Sequence, residues 1–302
     1  MQTILGSGGA IGIPLANELT HFTDKIKLAG RNPRKVNPGD ELIKTDLTDR
    51  DQTMNAVKGS DIVYLVAGLK YDLKIWQTQW PVIMKNVINA CLLYHAKLVF
   101  FDNVYMYGKV SGRMTENTPF NPCSEKGKLR AHIAQMLIDE YKKKNLNAVI
   151  VRAADFYGPN AKTGILNFLV IDQLRKRKTA HWFLNDKVKH SFTFTPDAAK
   201  AVALIGNTPD AFNQTWHLPT HRDALTGEEF IKLTADILSI PAKWTIYKKW
   251  QLDLLGLFNS DVKALNEMLY QYEDDYLFDS SKYENYFKIK PTNYVDGIKL
   301  SI

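Results

Sequence analysis

The segment MQTILGSGGAIG, residues 1–12, decides how the rest of this sequence is interpreted. A short apolar run leads into Gly6, Gly9 and Gly12, which lie three residues apart, and an apolar helical pattern follows. This order is typical of a strand–turn–helix unit whose backbone N–H groups and helix N-terminus bind a pyrophosphate. Glycines also occur in tight turns without a ligand, but this position, at the first strand of an alternating chain, favours a dinucleotide site. The predicted phosphate-binding residues are Gly6, Ser7, Gly9, Ala10, Ile11 and Gly12.

Strands and helices are predicted to alternate regularly through the first half of the chain. The predicted strands after the first are residues 25–29, 42–45, 61–67, 97–101 and 148–151. The predicted helices are residues 14–19, 51–57, 77–94 and about 126–143, and Pro81 is placed in the first turn of the third. This alternation predicts an α/β fold of the Rossmann type, with a doubly wound parallel sheet.

The regular alternation ends near Gly158-Pro159. We therefore expect an NAD(P)-binding Rossmann domain at residues 1–160 and a smaller mixed α/β substrate lobe at residues 161–302. Residues 191–215 are expected to return to the Rossmann core.

The composition favours a globular protein over a nucleic-acid-binding or membrane-spanning one. The 302 residues are 45% hydrophobic with a formal net charge of +7, which suits a globular protein. The basic runs 142–144 and 175–178 are interpreted as solvated helix ends, so no nucleic-acid surface is expected. The longest apolar run, 62–67, is too short to span a membrane. Cys91 and Cys123 lack CxxC spacing and no metal-binding motif occurs, so a reduced, cytoplasmic setting is expected, with no signal peptide and no metal.

The residues after the second predicted strand bear on the choice of cofactor. Arg31, Asn32 and Arg34 follow this strand, and no acidic residue occurs before Asp40. In a dinucleotide fold, an acidic residue here binds the ribose 2′-hydroxyl, whereas a basic residue accommodates a 2′-phosphate. Arginine can form paired hydrogen bonds with phosphate oxygens, so NADP is preferred and NAD is the alternative. Solvated loop cations would give the same pattern.

Six segments occur in the order found in one enzyme family. They are GSGGAIG (6–12), DLTD (46–49), DIVYLVAG (61–68), YG (107–108), RAADFYGP (152–159) and SFTFTPD (191–197). Together they resemble the extended short-chain dehydrogenase/reductases, the NAD-dependent epimerase/dehydratase family, over nearly the whole chain. The resemblance implies that NAD(P) lies along the carboxyl ends of the strands. It also implies Asp46 and Leu47 at the adenine, Ala67 and Gly68 along the path of the ribose, and a homodimer.

The matching positions do not carry the catalytic residues of this family. The family uses Ser or Thr after the fifth strand and Tyr-x-x-x-Lys at the start of the next helix. Counting back from YG places Asn103 at the Ser/Thr position. An ungapped count back from RAADFYGP places Lys126 at the tyrosine and Arg130 at the lysine. A shift of two residues gives Ser124 and Lys128 instead, and both counts remain open.

The substituted residues could still assist hydride transfer to a carbonyl, which needs a donor for the developing negative charge and then a proton. Asn103 offers an amide N–H group. Lys126 and Arg130 are four residues apart and share a helix face. The charges of Arg130 and of oxidised nicotinamide would make Lys126 a stronger acid, or free its amine to attack a carbonyl. Arg130 would bind the nicotinamide ribose hydroxyls.

Tyrosines supply further candidates. Tyr105 follows Asn103 by two residues, so in an extended stretch both side chains would point the same way, and Tyr105 is a second candidate acid. Tyr71, Tyr107 and Tyr157 are expected to bind substrate. These features predict an oxidoreductase or epimerase-like enzyme acting on a small carbonyl, alcohol or sugar-type substrate. The alternative is a catalytically inactive NADP(H)-binding sensor or partner-binding protein.

Overall fold

The computed structural model describes the chain from Met1 to Ile302, apart from the side chain of Asp261. The β-strands are β1 (Gln2–Leu5), β2 (Ile26–Gly30), β3 (Glu41–Lys44), β4 (Ile62–Leu65), β5 (Lys97–Asp102), β6 (Arg113–Met114), β7 (Ala148–Arg152), β8 (Asp155–Tyr157), β9 (Ala180–Phe183), β10 (Lys189–His190), β11 (Phe192–Phe194), β12 (Thr215–His217), β13 (Leu225–Thr226), β14 (Trp244–Tyr247) and β15 (Leu277–Phe278). The α-helices are α1 (Gly12–Leu19), α2 (Arg50–Val57), α3 (Leu73–Tyr94), α4 (Glu125–Lys142), α5 (Asp172–Arg175), α6 (Thr195–Gly206), α7 (Gly227–Ile237), α8 (Lys249–Gly256), α9 (Ser260–Asn266), α10 (Ser281–Phe287) and α11 (Tyr294–Ser301). Tyr105–Tyr107 forms a 3₁₀ turn, and Asn167–Ile171 forms a π-helical turn.

A seven-stranded sheet in the order β12-β7-β5-β4-β1-β2-β3 forms the centre of the fold, and its neighbouring strands are parallel. Gln2 of β1 pairs with Ile26 on one side and with Ile62 on the other. The chain winds outward in both directions from β1 and β4, which confirms the predicted doubly wound Rossmann-type sheet. In such sheets ligands bind beyond the carboxyl ends of the strands at the point where the winding reverses, here between β1 and β4.

The central strands are apolar because both faces of the sheet are covered. Every residue of β1, β4 and β7 is buried. Parallel sheets covered on both faces require near-continuous apolar strands, and this is the pattern that makes these segments recognisable in the sequence.

Helix α3 begins earlier than the sequence predicts. It starts at Leu73 because the side chain of Asp72 accepts a hydrogen bond from the backbone N–H of Ile75. Pro81 therefore lies inside the helix, and the prediction that it occupies the first turn is wrong. In the described part of the chain, no helix combines the length and the apolar character that a membrane crossing would need.

The chain divides into two units that interleave along the sequence. The first unit contains Met1–Asn103, Lys128–Arg152 and Ala198–Leu218, and includes the whole parallel sheet. The second contains Val104–Gly127, Ala153–Asp197 and Pro219–Ile302. The functional division at residue 160 stays a prediction.

Aromatic side chains form the core of the second unit. Trp182 is 1% exposed, stacks on Phe230 at a ring-centroid distance of 6.3 Å, and meets Tyr272 edge-on at 5.9 Å. Gly227 opens α7 directly against the indole, since a Cβ there would lie 2.3 Å from Trp182. This α7 contact depends on glycine, because any larger residue would push the helix away from the core.

Candidate functional site

The glycine loop joins β1 to α1 and packs against the loop that follows β4. Gly6 has a positive φ of 93°, and a Cβ at this position would lie 2.3 Å from the Cα of Ala67. A Cβ at Gly12 would lie 2.6 Å from the carbonyl oxygen of Ser7. Both positions therefore require glycine for the backbone to turn and close up. The loop is a packed element of the first unit at the point where the sheet reverses.

The same loop leaves backbone donors available for an anion. The N–H groups of Gly6 and Ser7 both donate to the carbonyl oxygen of Ala29, at 2.9 and 3.2 Å, which holds the loop in place. Helix α1 begins after Ile11 without any side-chain cap. A Cβ at Gly8 would meet nothing within 4 Å, so the space outside the turn is open. An uncapped helix N-terminus beside open space is suited to a pyrophosphate, and the residues here fit that group.

The residues predicted to bind the adenosine part of the cofactor include both basic and acidic side chains. Arg31, Asn32 and Arg34 are exposed after β2. Asp46 accepts hydrogen bonds from the backbone N–H and the hydroxyl of Thr48, at 2.9 and 2.7 Å. These bonds, with a smaller contribution from the nearby charge of Arg31, lower the pKa of Asp46. A carboxylate and a guanidinium therefore occur close together here, although they follow different strands, Asp46 after β3 and Arg31 after β2.

The remaining cofactor candidates lie around the ends of β3 and β4. Leu47 is buried, and its carbonyl oxygen accepts a hydrogen bond from the side-chain amide of Asn86 at 3.0 Å. Ala67 is half-buried beneath Gly6, whereas Gly68 is exposed with nothing within 4 Å of a Cβ position. The structure places these residues at the expected edge of the sheet, and their contacts with a cofactor stay predictions.

Arg130 belongs to a buried ionic cluster in the first unit. Its Nε donates to Asp102 Oδ1 at 2.8 Å, and a second guanidinium nitrogen donates to the same oxygen. Arg152 Nε lies 3.7 Å from Asp102 Oδ2, and the backbone N–H of Asn103 donates to Oδ1 at 2.9 Å. The guanidinium of Arg130 lies 4.6 Å from the ring of Trp80, and its side chain is 4% exposed. These donors of Arg130 are directed at a protein carboxylate, and binding of ribose hydroxyls stays a prediction.

Sequence reasoning missed Asp102, although a signal was present. Asp102 ends β5 directly after the apolar residues 98–101, and Arg152 ends β7. These two residues are paired in the register of adjacent parallel strands. Opposite charges at the last positions of two apolar strands predict an ion pair as soon as the strand order is known.

Lys126 belongs to a separate ion pair in the second unit. Its side chain is 0% exposed, and its Nζ donates to Glu267 Oε1 at 2.7 Å and to the carbonyl oxygen of Ala264 at 2.6 Å. The other carboxylate oxygen, Oε2, accepts from the backbone N–H groups of Glu125 and Lys126, at 2.7 and 3.3 Å. Glu267 thus caps the first turn of α4 and neutralises Lys126 at once. It lies 141 residues from Lys126 along the chain, and no local pattern indicates it.

The alternative pair, Ser124 and Lys128, has a different environment. The hydroxyl of Ser124 accepts a hydrogen bond from the backbone N–H of Gly127 at 3.0 Å, and Lys128 is exposed. A Cβ at Gly127 would lie 2.6 Å from the carbonyl oxygen of Tyr105, so this position requires glycine for packing.

The tyrosines differ in exposure. Tyr105 is half-buried at the start of a 3₁₀ turn, so the extended stretch assumed after Asn103 is wrong. Tyr107 is fully buried with its ring 6.2 Å from that of Phe120. Tyr71 is half-buried and meets Trp76 edge-on at 5.5 Å.

Tyr157 lies in the core of the second unit. It is 0% exposed, and a Cβ at Gly297 would lie 2.1 Å from its hydroxyl oxygen, so α11 packs on the ring. Burial raises the pKa of this phenol well above its usual range. Substrate binding by the three tyrosines stays a prediction, and Tyr71 offers the most accessible ring.

The chain is similar to proteins that act on nucleotide sugars. A Bacillus subtilis (strain 168) protein named as an uncharacterized UDP-glucose epimerase, YtcB, is 23% identical over 240 residues, covering 70% of this chain and 74% of that protein. The solved UDP-glucose 4-epimerase of Thermus thermophilus, in complex with NAD, has a TM-score of 0.81 at 16% identity, covering 100% of this chain and 97% of that one. The dTDP-glucose 4,6-dehydratase of Bacillus anthracis str. Ames, in complex with NAD, has a TM-score of 0.82 at 14% identity, covering 99% and 94% of the two chains. At such identities the solved structures establish the fold.

The family assignment comes from the sequence as a whole. The model of the NAD dependent epimerase/dehydratase family matches residues 3–218, well over half of the chain. This match confirms the resemblance inferred from the six ordered segments. It includes the glycine loop, the Asp102 cluster and Lys126. The chain belongs to the NAD dependent epimerase/dehydratase family.

Proposed function

We propose that this protein is an NAD(P)-dependent oxidoreductase or epimerase-like enzyme that acts on a sugar-type substrate. The observation that carries the proposal is the glycine loop, where Gly6 closes onto Ala67 and α1 begins without a cap beside open space. When bound, the dinucleotide would supply a hydride acceptor or donor. The substrate class is supported by the nucleotide-sugar enzymes with which the chain shares its fold.

The cofactor is proposed to be a nicotinamide dinucleotide, with NADP preferred over NAD. Arg31 and Arg34 are exposed and suited to a 2′-phosphate, which supports NADP. Asp46 follows β3, and the family resemblance places it at the adenine, so the position after β2 where a dinucleotide fold carries the acid for a ribose 2′-hydroxyl holds Arg31 and Asn32 instead. Arg31→Ala is therefore expected to weaken NADPH binding more than NADH binding, whereas Asp46→Ala is expected to weaken the binding of both, because both cofactors carry the adenine.

The proton donor is proposed to be Lys126 or Tyr105, with Asn103 donating a hydrogen bond to the developing oxyanion. The Nζ of Lys126 donates hydrogen bonds to Glu267 and to the carbonyl oxygen of Ala264. Proton transfer to a substrate would therefore require one of these hydrogen bonds to be replaced by one to the substrate oxygen. Tyr105 is the more exposed of the two donors. We also propose a cytoplasmic location, which the free thiols of both cysteines support. The protein is further proposed to be a homodimer.

The proposal is tested with purified protein in two steps. Binding of NADPH and NADH is measured by nicotinamide fluorescence, and then UDP- and dTDP-sugars, aldehydes and ketones are incubated with the preferred cofactor and followed by product analysis. Gly9→Val is the matched variant, because its side chain would enter the open face of the loop. Turnover that Gly9→Val abolishes supports the proposal, whereas tight binding with no turnover across the panel refutes the enzymatic part.

A second candidate is a cofactor-binding protein without catalysis. The observation that favours it is that both residues which the ungapped count places at the family's tyrosine and lysine positions are held in buried ion pairs, Lys126 by Glu267 and Arg130 by Asp102. This candidate predicts that Lys126→Ala leaves the cellular phenotype unchanged while Gly9→Val eliminates it. The enzymatic proposal, with Lys126 as donor, predicts loss of the phenotype in both variants.

A further inference from the structure

A cavity of about 580 Å³ lies in the second unit at the beginning of β9 and β14. These strands pair in parallel, and the backbone N–H of Ala180 donates to the carbonyl oxygen of Lys243 at 2.8 Å, so the segments that precede both strands meet at one end. The charged, aromatic and apolar side chains that line the cavity are Arg177, Lys178, His181, Ile240, Pro241 and Lys243. A volume of this size is typical of small-molecule sites.

The cations that line this cavity have no acidic side chain among the other described lining residues. No aspartate or glutamate lines it, and Arg177, Lys178 and Lys243 form no ion pair among the residues that the structure describes. Arg175, two residues earlier, is by contrast paired with Asp172 at 3.2 Å. Three cations around one concave surface attract anions, because their potentials add in the cavity.

The remaining lining residues suit an organic ligand. The ring of His181 stacks on Tyr247 at a centroid distance of 5.0 Å, which fixes its orientation. Burial lowers the pKa of His181, so the ring is neutral at neutral pH and can donate or accept one hydrogen bond. Its Nδ1 is buried and makes no hydrogen bond in the described part of the chain. Ile240 and Pro241 add an apolar wall.

We propose that this cavity binds a phosphorylated small molecule. Arg177, Lys178 and Lys243 contact its phosphate groups, and the organic part lies against Ile240 and Pro241. The run 175–178, interpreted from the sequence as a solvated helix end, thereby gains a binding role through its two C-terminal residues. The site is independent of the proposed catalytic function, because none of its residues belongs to the candidate catalytic or cofactor-binding set.

Calorimetric titration with pyrophosphate tests the proposal on the full-length protein at low ionic strength. The titration is run with and without saturating NADPH, since the glycine loop can also bind a pyrophosphate. The proposed site gives a binding event that persists in NADPH. Absence of NADPH binding would refute the proposed function, and the pyrophosphate event would remain measurable.

Two variants and one control decide the location of binding. Lys178→Ala/Lys243→Ala is expected to weaken the NADPH-resistant affinity at least about tenfold, because each substitution removes a charged contact. Thr179→Trp fills the cavity without changing its charge and is expected to abolish binding. Lys142→Ala/Lys143→Ala removes the same charge from the end of α4 and should change affinity by no more than about twofold. The proposal is overturned if pyrophosphate does not bind, if both lysine pairs act equally, or if Thr179→Trp binds normally.

Discussion

Substitution of Glu267 by glutamine isolates the buried charge of Lys126. The side chain of Lys126 is 0% exposed, whereas that of Glu267 is 23% exposed and also accepts two backbone N–H groups of α4. Glu267→Gln therefore removes the carboxylate charge that lies 2.7 Å from a fully buried ammonium, which costs about 3 kcal/mol of unfolding free energy. Lys126→Met leaves a partly hydrated carboxylate that keeps its backbone donors, at a cost of about 1 kcal/mol.

The ion pair is tested by the difference in unfolding free energy between Glu267→Gln and Lys126→Met. In the double variant neither charge is left unpaired, so its cost should be close to that of Lys126→Met alone, giving a coupling energy of about 2–3 kcal/mol. Urea unfolding followed by tryptophan fluorescence measures these differences, since Trp182 reports on the core of the same unit. Lys109→Met is the control, because Lys109 pairs with Glu273 on the surface and should cost about 0.5 kcal/mol or less. Additive single effects, or a larger loss in Lys126→Met than in Glu267→Gln, would refute the reasoning.

Three further predictions follow from packing and burial. Gly6→Ala places a Cβ against Ala67 at positive φ, so we expect a loss of about 2–4 kcal/mol and loss of NADPH fluorescence enhancement; normal binding would contradict the packing argument. Asp102→Asn removes the counter-charge of Arg130, which should lower the unfolding free energy by about 3–5 kcal/mol in the same urea assay, and a change under about 1 kcal/mol would contradict it. Tyr157→Phe removes a buried hydroxyl that makes no hydrogen bond in the described chain, so the melting temperature should stay the same or rise, and a clear fall would show a missed partner.

The sequence predicts the first unit well because its signals are local. The apolar strands, the spacing of Gly6, Gly9 and Gly12, and the cations after β2 each depend on neighbouring residues, and a parallel sheet imposes a recognisable pattern on every strand. The start of α3 was missed because the capping of Ile75 by Asp72 competes with the usual avoidance of proline inside a helix. Local chemistry therefore determined the fold class, the glycine loop and the family.

The environment of the substituted catalytic positions was decided by tertiary structure alone. Local spacing indicated that Lys126 and Arg130 share a helix, but their partners come from distant parts of the chain: Glu267 follows α9, and Asp102 ends β5. Burial is the physical reason, because a charge removed from water must find a counter-charge wherever the fold brings one close. Sequence alone left two counts for the residues at the family's catalytic positions, and only the folded chain decided which carboxylates hold Lys126 and Arg130.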